Sequence, residues 1–536
     1  MYYCAERAER RSMDFFANHI LSVVLFTPLA GAIVLLLIPR QMDLAHRVGG
    51  NLFGMLGFLV SLPLVFWWKP GQAQFSFQEN VSWIPSIGAR YHLGIDGISL
   101  LLVMLTTFLG MIAILSSWSA IHQRTKEYYI LLLLLQTGMI GVFVALDFFL
   151  FYVFWEVMLV PMYFLIGVWG SDRRLYAAIK FFLYTLAGSV VMLLAILALY
   201  FYAPVEPGAT RTFDVPTLLA AAQRFSDPLK VWLFWGFFFA FAIKVPMFPF
   251  HTWLPDAHTE APTAGSVILA GVLLKMGTYG FIRFSLPLLP AEGAMRSNII
   301  RIVIVLSLIA IVYGALVCLM QKDMKRLIAY SSVSHLGFCT LGIFALTPNG
   351  LAGSVLQQIN HGISTGALFL IVGVLYERRH TRLISEFGGL ATPMPNFAAI
   401  YLIISLSSLG MPLLNGFIGE FAILQGAFQV SKTWAAWGTL GVILGAAYLL
   451  WLYQRVMFGP VTLPVNEHLP DLNLREMVTL VPLVFMAFWI GIYPKPFFSL
   501  IEKPVQKIVE QVNPNFYQME RAKLPQAPVP AAVEGQ

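Results

Sequence analysis

Six ionisable side chains interrupt stretches of this sequence that are otherwise almost free of charge. A charged side chain in hydrocarbon costs a few kcal/mol even on lenient scales, so such residues usually pair, face water or carry protons. Carboxylates, lysines and histidines all exchange protons once burial and neighbouring charges adjust their proton affinity. The six are Glu156, Lys244, Lys275, His335, His361 and Glu420. Their chemistry is that of proton transfer through side chains and water.

Lys244 stands at the end of the uncharged run Val231–Ile243 and is followed by Pro246 and Pro249. Proline cannot continue a helical hydrogen-bond ladder. A helix that stops beside a lysine inside a membrane is tolerated only against protein or water. Lys275 lies in the next apolar run, which contains no acidic residue, so we expect a neighbouring polar side chain or water to reach it.

Glu156 lies near the middle of the run Phe148–Val168, five residues before Pro161. A buried carboxylate is rarely left unpaired, and Lys244 is a suitable partner. A Glu–Lys pair that opens and closes would switch the lysine between a proton-loaded and a proton-releasing state. The alternative is a static ion pair that only fixes helix packing.

His335 and His361 would each, alone, be read as packing residues. Together, and beside so many hydroxyl and amide groups, they suggest a hydrated relay. The polar neighbours are Ser332, Ser334, Gln357, Gln358 and Asn360. Glu420 follows Pro412 in another proline-broken run, where a static pairing role is the alternative to proton transfer.

Weaker candidates flank the breaks. Asp147 lies at a tight turn between two apolar runs, as a turn residue or a proton uptake point. His251 and His258 follow Lys244, and helix termination and loop packing explain them better than a metal site, because no ligand spacing supports one. No nucleotide or metal-binding motif occurs, so the chain itself is expected to hold no cofactor and no metal.

The composition indicates the elements that must position these residues. The chain of 536 residues is 58% hydrophobic and 11% charged, with mean hydropathy +0.75. Soluble domains carry about 25% charged residues. Roughly fourteen runs reach the ~20 apolar residues that a spanning helix needs. The fold class predicted is an all-α polytopic membrane protein.

The order of the runs suggests internal repetition. The seventh and twelfth runs are both broken by proline beside an ionisable residue, which is the best sequence pointer to a transport site. Five runs separate them, so the second copy would be inverted. The predicted units are an extension (1–19), three helices (20–120), two repeats (121–290 and 291–460), a last helix (461–500) and a polar, Pro-rich tail (501–536). The tail from Gln506 on is not expected to bury a core.

Charge gives an orientation. Tight basic clusters follow odd-numbered runs, which places those loops in the cytoplasm and both termini outside by the positive-inside rule. The clusters are Arg124/Lys126, Arg173/Arg174, Lys322/Lys325/Arg326 and Arg378/Arg379/Arg382. Lys180 and Arg283 lie near span ends, where snorkelling to the interface is expected.

The stretch from Lys244 to Ser266, KVPMFPFHTWLPDAHTEAPTAGS, resembles the antiporter-like membrane subunits of respiratory complex I. Four shorter segments share the resemblance, which covers nearly all of residues 20–493. These are LGIDGISL from Leu93, FWE ending at Glu156, KRLIAYSS from Lys325 and NHG from Asn360.

The resemblance implies about fourteen transmembrane helices with two inverted five-helix repeats, each with a broken helix. It implies that Glu156 modulates Lys244, that Lys275 and the two histidines relay protons laterally, and that Glu420 faces the exit. Partner subunits, L-like and N-like neighbours among them, would hold NADH, FMN, iron–sulfur clusters and quinone. The chain would act as a proton-translocating subunit of an NADH:quinone oxidoreductase in the bacterial inner membrane, with no redox chemistry of its own.

Two alternatives stay open. One is a subunit of an Mrp-type cation/proton antiporter, or of a related hydrogenase or ferredoxin-driven pump. The other is a structural membrane scaffold whose ion pairs are static, and it predicts that charge-removing variants which still assemble leave pumping intact.

Overall fold

The computed structural model describes residues 18–517, except residues 70, 72–74, 206, 207, 209 and 462. The predictions for residues 1–17 and 518–536 therefore concern residues outside the described part. Within it, twelve helical segments are long and apolar enough to cross a membrane. The prediction of a helical, multi-pass membrane protein is confirmed.

The chain begins with two helices, α1 (Ile20–Leu37) and α2 (Asp43–Phe66), and then forms a hairpin. Strands β1 (Ser76–Ile84) and β2 (Ala89–Ile95) pair antiparallel. The prediction of an all-α chain is wrong here. The segment is polar and too short to span a membrane, and two such strands pair across the turn around Gly88, whose φ of +69° favours glycine.

Three helices then lead to the first site residue. They are α3 (Gly97–Ser116), α4 (Thr125–Val144) and α5 (Phe148–Val157). The same span continues as α6 (Leu159–Trp169) after a break at Met158. Pro161 explains the break, because it supplies no N–H and its ring crowds the carbonyl of Val157. Glu156 thus lies directly before an interruption in its helix.

Helix α7 (Arg174–Tyr202) and the short α8 (Val215–Ala222) precede the proline-rich stretch. Helix α9 (Asp227–Lys244) ends at the lysine, and α10 (Trp253–Glu260) begins after Pro249. The predicted break in this helix is confirmed. The next span runs from Thr263 to Leu288 and contains α11 (Thr263–Ile268) and α12 (Leu274–Gly280), each followed by a π-helical turn.

The second half is formed by longer helices. They are α13 (Ala294–Leu319), α14 (Met324–Phe344), α15 (Pro348–Arg379), α16 (Pro395–Ser408), α17 (Asn415–Val430), α18 (Lys432–Met457) and α19 (Leu474–Ile492). The gap between α16 and α17 holds Pro412 and confirms the second predicted break. Gly410 in this gap has a φ of +81°, which glycine adopts without strain.

A final helix, α20 (Lys495–Val512), lies where a polar tail is predicted from Gln506 onward. The expectation that Gln506–Val512 buries nothing is wrong. One apolar face of α20, which includes Ile501, Val505 and Val509, is buried against the bundle. Val509 continues the i, i+4 spacing of this face past Gln506, so polar composition concealed an amphipathic helix.

Burial divides the bundle into a centre and a rim. The span Thr263–Leu288 is fully buried over its most apolar window, and α14 and α15 are buried over 94% of theirs, against 28% for α2. Helices in the centre are shielded from lipid on all sides, so they can carry polar side chains that lipid-facing helices cannot. Lys275, His335 and His361 all lie on these three central segments.

Candidate functional site

Lys244 is the last residue of α9 and is almost fully buried. Its Nζ lies 3.5 Å from the Met158 Sδ and 5.2 Å from the centre of the Trp155 ring. A thioether and an aromatic face are weak partners for an ammonium group. Both partners flank Glu156 at the break between α5 and α6, so the lysine head group lies beside this break.

Glu156 does not form the predicted ion pair with Lys244 directly. Among the described residues, no nitrogen–oxygen contact of 4.0 Å or less joins the two. The Glu156 carboxylate interacts with Tyr152 one turn earlier, and its Oε1 is buried with no hydrogen-bond partner. Glu156 and Lys244, which the sequence predicts as an ion pair, therefore lie beside the same helix break without direct contact.

Lys275 has the polar neighbour that its sequence surroundings require. Its Nζ lies 2.6 Å from the His361 Nδ1 on α15, and it also bonds the carbonyl of Ala270. Ala270 belongs to the π-helical turn Leu269–Leu273, and such turns often occur at functional sites. Thr278, one turn after Lys275, donates to the Gln358 Oε1 at 2.7 Å. Polar side chains on α12 and α15 thus face each other.

Gly277 allows this close approach between α12 and α9. A Cβ on Gly277 would lie 2.6 Å from the Val245 Cγ2, 2.9 Å from the Phe241 carbonyl oxygen and 3.1 Å from the Lys244 Cβ. These contacts are shorter than real Cβ atoms tolerate where backbone is involved. The glycine therefore brings the two lysine-bearing helices together.

His335 and Glu420 form the second contact of the polar line. The His335 Nδ1 lies 3.1 Å from the Glu420 Oε1, and Gln357 donates to the same oxygen at 3.0 Å. The other nitrogen of His335, Nε2, lies 3.2 Å from the hydroxyl of Tyr448 on α18. The break before α17 brings Gly410 beside the carboxylate of Glu420.

The two contacts are separated by a short polar gap. The rings of His335 and His361 are 6.0 Å apart between centroids, and the His361 Nε2 is buried without a partner. A small cavity of about 10 Å³, room for about one water molecule, is lined by both rings. Its other lining side chains are polar and include Asn360, Ser364 and Ser407. A buried water with several polar partners is the usual occupant of such a space.

Asp147 caps the N-terminus of α5. Its carboxylate accepts hydrogen bonds from the backbone N–H groups of Phe149, Leu150 and Arg90 at 2.9–3.1 Å. Burial raises the pKa of Asp147, although these three bonds lower it in part. The two roles considered from the sequence are a turn residue and a proton uptake point. These three bonds hold the chain at the turn before α5, which supports the first role.

His251 and His258 pack against aromatic rings. The His258 ring stacks on Phe369 with centroids 4.6 Å apart, and neither of its nitrogens has a partner. His251 lies against Phe248 and Tyr313, at 5.8 and 5.2 Å between centroids. Neither histidine contacts Lys244 or Lys275 by a hydrogen bond among those described.

Several polar residues of the interior were not found from the sequence. Tyr448 lies in an apolar run, and no local pattern in the sequence distinguishes it from a tyrosine that only packs in the core. Lys325 is buried and bonds the carbonyl of Ala261, beside a cleft of about 410 Å³ that Glu260 and Arg382 also line. Because Lys325 belongs to a basic cluster, its sequence surroundings predict an exposed loop residue.

The prediction that Arg283 snorkels to the interface is wrong. It instead forms a buried ion pair with Asp96, at 2.7 Å. Asp96 caps α3, so the pair joins that helix to the span that carries Lys275. Lys180 is likewise paired, with Asp256 at 2.7 Å, although it stays partly exposed.

Comparison with known proteins supplies the family. Residues 145–445, more than half of the chain, match the family model described as "NADH:quinone oxidoreductase/Mrp antiporter, TM". Residues 55–142 match the amino terminus of NADH-ubiquinone oxidoreductase chain 4. The chain belongs to the NADH:quinone oxidoreductase/Mrp antiporter family.

Individual relatives in this family show which type of subunit the chain resembles. NADH-quinone oxidoreductase subunit M of Rhodobacter capsulatus is 46% identical over 511 residues, covering 92% of this chain and 97% of that protein. The family resemblance implies lysine at the position of Glu420 in the sister subunits L and N, so this glutamate predicts the M type. Relatives named subunit M confirm this prediction.

Solved structures of the family share the fold. A chain of respiratory complex I from Thermus thermophilus with bound NADH superposes with a TM-score of 0.82 at 32% identity, covering 92% of this chain and 99% of that chain. A chain of the Mrp complex from Dietzia sp. gives a TM-score of 0.79 at 19% identity, covering 94% of this chain and 99% of that chain. At that identity the second likeness shows the fold alone.

Proposed function

We propose that this chain is the M-type, proton-translocating membrane subunit of an NADH:quinone oxidoreductase. The observation that carries the proposal is the polar line through the buried centre of the bundle. It joins Lys275 to His361 at 2.6 Å and His335 to Glu420 at 3.1 Å, with a small polar cavity lined by both histidines. Protons can pass along such a line by exchange between side chains and water.

Lys244 and Glu156 form the proposed switch of this line. A lysine whose described partners are the Met158 thioether and the rings of Trp155 and Phe181 gains much from a carboxylate that moves into contact, because the Coulomb energy of an ion pair rises steeply in a low-dielectric interior. Closure of the pair would hold the proton on Lys244, and opening would favour its release toward Lys275. The break at Met158 gives Glu156 a hinge about which this movement can occur.

The cleft beside Lys325 is the proposed uptake route for protons. It is lined by Glu260 and Glu377 and by Arg382, at the end of the bundle that the positive-inside rule assigns to the cytoplasm. His258 is buried two residues before Glu260, on the path inward from this cleft. Its two unpartnered ring nitrogens suit a role in the uptake of protons.

The proposed architecture has fourteen transmembrane helices. Adding the two broken helices, α9/α10 and α16/α17, to the twelve continuous spans gives this number. The breaks are five spans apart, which supports two inverted repeats. Both termini are proposed to lie outside the cytoplasm of a bacterial inner membrane.

Partner subunits are proposed to supply the redox chemistry. NADH, FMN, iron–sulfur clusters and quinone are assigned to them and not to this chain, and L-like and N-like membrane subunits are the proposed neighbours. The likeness to a chain of the Thermus thermophilus complex supports this assembly. The chain is thus enzymatic only as part of the assembled oxidoreductase.

Replacement of Glu156 by glutamine in the assembled complex tests the proposal. Glutamine keeps the size of the side chain and removes the charge, so we expect proton pumping to fall about tenfold while the complex still assembles. Glu467→Gln, at an exposed surface position, is the matched control and should pump normally. Both variants would be reconstituted in vesicles, and proton uptake would be measured against NADH oxidation.

The same experiment separates the alternatives. Normal pumping by assembled Glu156→Gln would favour a scaffold with static ion pairs. An Mrp-type antiporter would exchange protons for sodium without NADH or quinone. The family model that residues 145–445 match is described by both kinds of protein, which keeps this candidate open. Sodium-dependent proton exchange by the purified complex in the absence of NADH would support it.

A further inference from the structure

Among the described residues, Tyr448 supplies the hydroxyl that lies within hydrogen-bond distance of His335. Tyr448 lies on α18, outside the three central segments, and is fully buried. Its Oη is 3.2 Å from the Nε2 of His335, whose Nδ1 is 3.1 Å from the Glu420 Oε1. Both ring nitrogens of His335 are therefore engaged, one by a carboxylate and one by a phenol.

The contacts of the Glu420 Oε1 determine the hydrogen positions on His335. A carboxylate oxygen that accepts from Gln357 at 3.0 Å and faces the Nδ1 acts as the acceptor in both contacts. His335 then carries its hydrogen on Nδ1, and its Nε2 offers a lone pair. The Tyr448 hydroxyl is the donor to this lone pair, and it holds the ring in one tautomer.

Uptake of a proton by His335 must reverse this contact. Nδ1 already carries a hydrogen, so an added proton can enter only at Nε2, and only after the Tyr448 hydroxyl has turned away. The imidazolium that forms carries hydrogen on both nitrogens, so the Tyr448 oxygen changes from donor to acceptor. Ser331, one turn before His335 on α14, also interacts with the Tyr448 hydroxyl and can accept a hydrogen bond from it.

We propose that Tyr448 is a positioning residue that fixes the Nδ1–H tautomer of His335 toward Glu420 and turns its hydroxyl to Ser331 each time His335 takes up a proton. This inference rests on the proposed function and adds to it a residue on a span that carries none of the six principal residues. When the imidazolium gives up the proton on Nε2, the hydroxyl turns back and the Nδ1–H tautomer is restored. Without the hydroxyl, either tautomer could form, and the Nε2–H tautomer presents no hydrogen to Glu420.

Tyr448→Phe removes only the hydroxyl and keeps the ring that packs in the core. In the assembled complex, in vesicles, we expect the pumping rate to fall about tenfold, since a hydrogen bond to a group that becomes charged is worth about that factor. We also expect the midpoint of the pH profile of pumping to move by about one unit. A purely structural role would lower activity at every pH without moving the midpoint.

Tyr453→Phe is the matched control. Tyr453 lies on the same helix and donates to the Ala398 carbonyl at 3.1 Å, away from the polar line. It should keep the wild-type rate and pH profile. An equal loss in both variants would contradict a special role for Tyr448, and so would a wild-type profile in Tyr448→Phe.

Ser331→Ala tests the switching step even where Tyr448→Phe fails to assemble. It leaves the His335 contact in place and removes the second partner of the hydroxyl, so the pH midpoint should move. An unchanged profile would overturn the switch. Normal pumping by Glu156→Gln would instead refute the proposed function, whereas loss in that variant with a normal Tyr448→Phe would refute this inference alone.

Discussion

At the residue scale, a contact between His92 and Asp214 connects the hairpin to the helical bundle. The His92 Nδ1 on β2 lies 2.7 Å from the Asp214 Oδ1, and its Nε2 lies 3.2 Å from the Gln78 Oε1 on β1. Asp214 also caps α8 through the N–H of Thr217. Burial by itself would raise the pKa of Asp214, but the hydrogen bonds from His92 and Thr217 outweigh it and hold the pKa below the usual 3.8.

The lowered pKa predicts how Asp214→Asn changes stability with pH. The Asp214 interactions stabilise the folded chain above the ordinary carboxyl pKa, and this contribution is lost as pH falls through the lower folded value. We therefore expect Asp214→Asn to cost about 1 kcal/mol at neutral pH, with a difference from wild type that shrinks toward pH 3. Thermal melting of the complex across this range measures it, and exposed Asp172→Asn is the control. A difference independent of pH would contradict the stabilisation of the Asp214 carboxylate by these hydrogen bonds.

The six principal residues show how much of the candidate site can be identified from residue types alone. Each was identified as a candidate because an ionisable residue isolated in an apolar run is costly to bury. Which of them meet could not be predicted, since contacts between helices depend on rotation and depth. Glu156 and Lys244 are thus not in direct contact, whereas Lys275 and His361 are, and Tyr448 has no feature in the sequence that distinguishes it from a core tyrosine.

At the element scale, the interruptions of helices are the features that position the site. Proline breaks were predictable, because the loss of an N–H and the ring clash are local effects. The π-helical turns on either side of α12 were not, because no residue type enforces them. The hairpin and α20 were missed for a related reason, since their stability comes from packing on the bundle.

Gly277→Ala tests the packing of the two lysine-bearing helices. The added methyl group meets the Phe241 carbonyl and the Val245 side chain, so we expect a loss of about 1–3 kcal/mol in stability. Thermal unfolding of the assembled complex measures this loss. Gly366→Ala, in the interior of α15, is the control, because its nearest neighbours lie 3.7 and 3.8 Å away. Equal stability of the two variants would show that α9 and α12 do not need this contact.

At the scale of the whole molecule, the proposed orientation makes a separate prediction. Lys503 on α20 and His122 between α3 and α4 are both exposed and lie toward opposite ends of the bundle by span order. A cysteine at 503 should react with an impermeant thiol reagent added to intact spheroplasts, and a cysteine at 122 only in inverted vesicles. Cys4 is replaced by serine in both variants, and the buried native cysteines Cys318 and Cys339 give little background. The opposite labelling pattern would reverse the orientation.

The whole molecule is organised as a buried polar line inside an apolar shell. We propose that Lys244, where α9 ends beside the break that carries Glu156, is the first residue of this line. The most direct test is the number of protons pumped per electron by the assembled complex with Lys244→Ala, compared with exposed Lys432→Ala. We expect this ratio to fall sharply for Lys244→Ala and to be unchanged for Lys432→Ala. A wild-type ratio in an assembled Lys244→Ala complex would contradict this proposal.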